Sequence, residues 1–140
     1  MKKVRIAIIL VFFMASLIGC GKSENPPPQP QSLWAYLETF RSKTQMPTTD
    51  EIVSQFGKPD TTEIEMNLNA TASFPDDKQF LKFTDEDKKS KWVHVVAWTY
   101  FFKGDRNRWV NVLVRKSDGS ATGWEWFENV PPGQEIGPPK

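Results

Sequence analysis

This sequence predicts an α+β fold: two short N-terminal helices packed on an antiparallel β-meander of three to five strands. Three observations predict it. Apolar residues recur at helical spacing in two stretches before residue 57. After Pro59 the period falls to two, the mark of half-buried strands. Short turn signals then join the alternating stretches, so helices come first and strands after, as in an α+β layer.

The chain opens with Lys2, Lys3 and Arg5, followed by an almost unbroken apolar run from Ile6 to Leu17. A run of about a dozen residues is too short to span a bilayer as a helix, which takes about 20. A basic start, a short apolar core and small residues before a cleavage point are the layout of a secretory signal. Residues 17–20 read Leu-Ile-Gly-Cys, which resembles the lipobox of bacterial lipoproteins. The resemblance implies a signal peptide over 1–19 and a lipid joined to the Cys20 thiol. It further implies cleavage after Gly19 and acylation, by palmitate or a similar chain, of the new amino terminus. Each buried methylene contributes about 0.8 kcal/mol, so two or three chains hold a membrane where one does not. Cys20 is the only cysteine, so a disulfide within one molecule is excluded. Gly21 stands where an Asp would resemble an inner-membrane retention signal. The expected location is therefore the cell envelope, lipid-anchored, on the outer membrane facing the periplasm in a Gram-negative source.

Residues 20–31, the lipidated cysteine and GKSENPPPQPQ, form a proline-rich tether. Such a segment stays extended at about 3.1 Å per residue and spaces the domain roughly 30 Å from its anchor. One domain follows over 32–130, and 131–140 reads as a disordered tail. Removing Lys2, Lys3 and Arg5 with the signal leaves 15 basic residues against 17 acidic ones. No basic excess points to nucleic acid as a partner.

Within the domain, Leu33, Tyr36, Leu37 and Phe40 recur at helix spacing, with Ser32 placed to cap them. Thr48 and Glu51 have capping-box spacing; Ile52, Val53 and Phe56 form the apolar stripe that follows. Gly57 can take a left-handed stop and Pro59 prevents continuation. Thr62 to Leu68 alternates as a strand. Phe80 to Phe83 is expected as its short partner, with Pro75-Asp76-Asp77 as the turn. Lys91 to Lys103 is the strongest strand. Gly104 to Asn107 turns it back into Trp109 to Arg115, and Asp118-Gly119 leads to Thr122 to Asn129.

Met46-Pro47-Thr48-Thr49-Asp50-Glu51-Ile52-Val53 runs into Phe56-Gly57-Lys58-Pro59-Asp60, and Trp98-Thr99-Tyr100 and a hairpin rising to Asp118-Gly119 follow. This pattern resembles the SmpA/OmlA (BamE-like) lipoproteins, small periplasm-facing subunits of the outer-membrane β-barrel assembly machinery, over about Met46 to Asn129. The resemblance implies a non-enzymatic protein-binding module anchored in the membrane through lipid on Cys20, with another envelope protein as partner. The chain departs from the compact family pattern at Thr61 to Ser90, where an extra hairpin would fit.

The inventory for catalysis is thin. His94 is the only histidine and sits inside the strongest strand, so a hydrolase would need it beside a serine or carboxylate in a cleft. No catalytic residue, cofactor or metal is expected. Asp76-Asp77 and Asp85-Glu86-Asp87 lack the spacing and turn glycine of a calcium loop, and Lys88-Lys89 follow directly, which favours a solvated turn. The aromatic residues are more informative. Trp92, Trp98, Tyr100 and Phe102 share one strand face, Val93, Val95 and Ala97 the other; Trp109 and Leu113 oppose Val110, Val112 and Val114. A sheet apolar on both faces must bury both. Trp92, Trp98, Tyr100, Trp109, Trp124 and Trp126 thus either complete the core or form a candidate protein-binding face. The alternative to a protein-binding module is a periplasmic ligand-binding or inhibitor-type lipoprotein.

Overall fold

The computed structural model describes residues 30–73 and 76–140. The signal peptide expected at 1–19, the lipidation of Cys20, the tether up to residue 29 and the turn residue Pro75 lie outside the described residues. Helix α1 spans Pro30–Glu38 and α2 Thr49–Phe56. Strands β1 (Thr61–Asn69) and β2 (Gln79–Leu81) follow, then helix α3 (Asp85–Ser90). Strands β3 (Trp92–Phe102), β4 (Asp105–Arg115) and β5 (Ala121–Glu128) complete the chain. The class is α+β, with one five-stranded antiparallel sheet in the order β1-β3-β4-β5-β2.

The local signals work as their chemistry requires. The Thr48 hydroxyl accepts from the Glu51 N–H and the Glu51 carboxylate from the Thr48 N–H, closing the capping box of α2. Gly57 ends that helix at φ 77°. Ser32 does not cap α1; the helix starts two residues earlier, at Pro30, where a missing N–H costs nothing.

Strand alternation divides the sheet into two apolar faces. On one, Tyr100 and Phe102 of β3, Val110, Val112 and Val114 of β4, and Trp124 and Trp126 of β5 pack against Leu33, Trp34 and Leu37 of α1 and Ile52 of α2. On the other, Val93, Val95, Ala97 and Leu113 form a second cluster with Ala70, Met66, Leu68, Leu81 and Phe83. Residues 61–90 therefore build both edge strands and cover the second face.

Three expectations are corrected. Phe80 to Phe83 is not the hairpin partner of Thr62 to Leu68: β1 pairs with β3 at one edge and β2 with β5 at the other. A hairpin hung on β3 alone would leave the edge of β5 unpaired and the second cluster uncovered. Asp85-Glu86-Asp87 is not a solvated turn. The Thr84 hydroxyl and the Asp87 carboxylate form a second capping box that starts α3, and Asp87 is buried in a bidentate ion pair with Arg115. The C-terminal segment expected as a disordered tail is tied down. The Glu128 carboxylate accepts from the Ile136 and Gly137 N–H groups at 2.8 and 3.2 Å, and Arg108 donates to the Gln134 carbonyl at 2.9 Å.

The short β2 depends on one close approach. A Cβ at Gly123 would lie 2.4 Å from the Phe80 carbonyl oxygen and 2.6 Å from the Leu81 side chain. Gly123→Ala should cost about 1–3 kcal/mol by overpacking. The loss should appear first as rapid amide exchange of Lys82, whose N–H donates to the Thr122 carbonyl at 2.8 Å. Unchanged exchange there would mean that β2 is held elsewhere.

Candidate functional site

The six aromatic residues read as one candidate face do not share one. Trp124 is 0 % exposed, and Trp126 and Tyr100 are also buried beneath the helices. Trp98 is half-buried against the same core. The Trp34 ring meets Trp126 edge-on at 5.6 Å, and the Trp124 Nε1–H donates to Glu38 at 2.7 Å. These four residues belong to the domain's own core, because α1 and α2 cover the face to which alternation sends them. Trp92 shares their parity but lies at the start of β3, 55 % exposed.

Trp109 points to the opposite face and has two partners that the sequence reading missed. Register places Phe101 of β3, Trp109 of β4 and Phe127 of β5 directly opposite one another. Their centroids lie 5.9 and 5.3 Å apart, and Trp109 and Phe127 stack with their planes 16° from parallel. The Arg106 guanidinium sits 5.2 Å from the Phe101 centroid. The second apolar cluster lies at the other end of these strands, around Val93, Val95 and Leu113, so the ladder remains partly open, with Phe127 39 % exposed. Its signal in sequence was the tight Lys103-Gly104 hairpin, which sets Phe101 against Trp109 by register.

Next to the ladder runs a polar row across four strands. The Thr99 hydroxyl donates to Asn111 at 2.8 Å, and the Gln79 amide donates to Glu125. Burial raises the Glu125 carboxyl above its ordinary range, against the lowering effect of hydrogen bonds from Gln79 and Asn111. The row satisfies buried polar groups between two apolar regions.

At the turn end of β3, a groove of about 600 Å³ opens between the helices and the sheet, with Pro30, Leu33, Phe56, Tyr100, Phe101 and Phe102 along its wall. Lys58, Lys103 and Arg106 stand exposed at its rim. The Tyr100 hydroxyl donates to the Gly57 carbonyl at 3.0 Å and the Phe101 N–H to Asp60 at 2.8 Å, which ties the stop of α2 to the sheet. Burial, and then the Asp60 charge, push the Tyr100 phenol well above its ordinary value, so it stays a hydrogen-bond donor.

His94 lies on the strand surface, 3.0 Å from Glu65, whose carboxylate also receives Lys116 at 2.8 Å. Hydrogen bonding from Lys116 is the main cause that lowers the Glu65 carboxyl. All three are exposed, and neither they nor a serine partner line the groove. Among the described residues no group of three or more His, Cys, Asp or Glu side chains is placed to hold a metal, and no helix is long and apolar enough to cross a membrane. No protein-family model, no curated protein and no solved structure matches the chain.

Proposed function

We propose that this chain is a membrane-anchored lipoprotein whose domain binds another envelope protein. The observation that carries this reading is the open Phe101–Trp109–Phe127 ladder, an aromatic strip with an arginine at its edge that the domain's own helices do not cover. Aromatic residues and arginine dominate interface hot spots, because they bury large area at little rotamer cost. The address rests on the basic start, the short apolar run and the Leu-Ile-Gly-Cys sequence ending at Cys20. In a Gram-negative source the domain would face the periplasm from the outer membrane.

The resemblance to the SmpA/OmlA subunits narrows the reading to an accessory of β-barrel assembly. Its finer architecture is two short N-terminal helices packed on the meander, and α1 and α2 against β3, β4 and β5 support it. The decisive experiment is a crosslinking pull-down of the tagged protein from its own membranes, run beside a Trp109→Ser/Phe127→Ser variant. Recovery of a defined envelope protein, lost by at least about tenfold in the variant as expected of a hot-spot pair, supports the reading. Equal recovery with both forms moves the binding face elsewhere, and recovery of nothing favours a ligand-binding module.

A further inference from the structure

We propose that the proline-rich segment preceding Pro30 docks in the groove at the turn end of β3, as an intramolecular ligand. Pro30 is itself buried and forms part of the groove wall, so the chain enters the domain at this site. Residues 26–30 read Pro-Pro-Pro-Gln-Pro. A polyproline helix has three residues per turn, which sets Pro27 on the same side as Pro30. Phe56, Tyr100, Phe101 and Phe102 supply the aromatic wall that such segments recognise, and a preformed extended helix loses little entropy on docking.

The charges agree with this occupant. Asp60 is engaged by the Phe101 N–H, and Asp105 by Arg108 and the Asn107 N–H. Lys58, Lys103 and Arg106 make no ion pair among the described residues. Glu24 is the one acid of the tether and Lys22 its one base, so proline–aromatic contact carries the docking and Glu24 meets the basic rim. Covalent linkage supplies an effective concentration in the millimolar range, enough for a shallow groove to be filled.

Docking itself does not require lipid on Cys20; its consequence does. With residues 26–30 held in the groove, the free spacer shortens from roughly 30 Å to roughly 20 Å at about 3.1 Å per residue. The tether then has a short and a long state, and a ligand that displaces the prolines selects the long one.

The test is proximity crosslinking in the full chain carrying Asn25→Cys and Arg106→Cys, with a short bismaleimide. It is compared with the same pair after Pro26→Ser/Pro27→Ser/Pro28→Ser. Docking predicts a crosslinking rate that falls by at least about fivefold on removing the prolines, since the effective concentration at the groove is lost. A smaller fall, an equal rate or a faster one overturns the proposal, because a free flexible tether collides with the rim at least as often as a free stiff one. The single Arg106→Cys chain serves as control: a Cys20 thiol that reacts there shows that lipidation has failed, separately from docking.

Discussion

Trp124→Ala is expected to cost about 3–5 kcal/mol of folding stability, the range for deleting a large buried aromatic side chain. Trp124 is fully buried and belongs to the cluster that joins α1 and α2 to the sheet. Its ring lies 4.5 Å from that of Phe80, and its indole N–H donates to Glu38. The substitution therefore opens a cavity and strands an acceptor as well as removing apolar area. Denaturant unfolding would show a lower midpoint at nearly unchanged slope. A loss under about 1 kcal/mol would remove Trp124 from the core, since surface substitutions rarely exceed half of that, and would return it to the candidate docking face.

Arg115→Met should be comparably severe, about 3–5 kcal/mol, because it leaves a buried carboxylate without its counter-charge. Arg115 donates two hydrogen bonds to Asp87 and a third to the Thr122 hydroxyl at 3.1 Å. The pair clamps α3 onto the sheet, with both side chains 11 % exposed. Arg115 hydrogen bonding is the first cause that holds the Asp87 carboxyl down to about 2, from 3.8. A folded-state value below the unfolded one means stability that is fully present above pH 3.8 and is lost as the pH falls through about 2. That contribution is about 2 kcal/mol in the wild type. In the variant, protonation of Asp87 relieves the stranded charge, so the gap between wild type and variant should narrow between pH 4 and 2. A gap independent of pH would mean that Arg115 acts through packing. Adding Asp87→Leu to Arg115→Met should recover much of the loss, as replacement of a whole buried pair often does.

The parts legible in the sequence are those written by neighbouring residues. Thr48 and Glu51 cap a helix because three residues separate them, and Gly57 stops it because a left-handed position follows. The alternation of β3, β4 and β5 marks which residues share a face, and their turns set the meander. Thr84 and Asp87 carry the same capping signal as Thr48 and Glu51. The six-residue helix that they start has no apolar stripe, and the lysines behind it resemble a solvated turn. Its real anchor, Arg115, lies 28 residues away.

The site was legible in residue type and not in membership. Alternation separates Trp109 from Trp124 and Trp126, yet both faces of this sheet are apolar, so patterning leaves undecided which face the helices take and how far the other is covered. Local chemistry thus defined the helix stops, the strand faces, the turns and the Cys20 address. Long-range packing settled three further matters: the opposite edges taken by β1 and β2, the burial of Trp124 and Trp126 under α1 and α2, and the opening left at Phe101, Trp109 and Phe127. The physical reason is that capping, turns and alternation are satisfied within a few residues of chain. Coverage of a face is satisfied only by whichever distant segment buries the most apolar area at the least cost in unpaired edges and stranded charge.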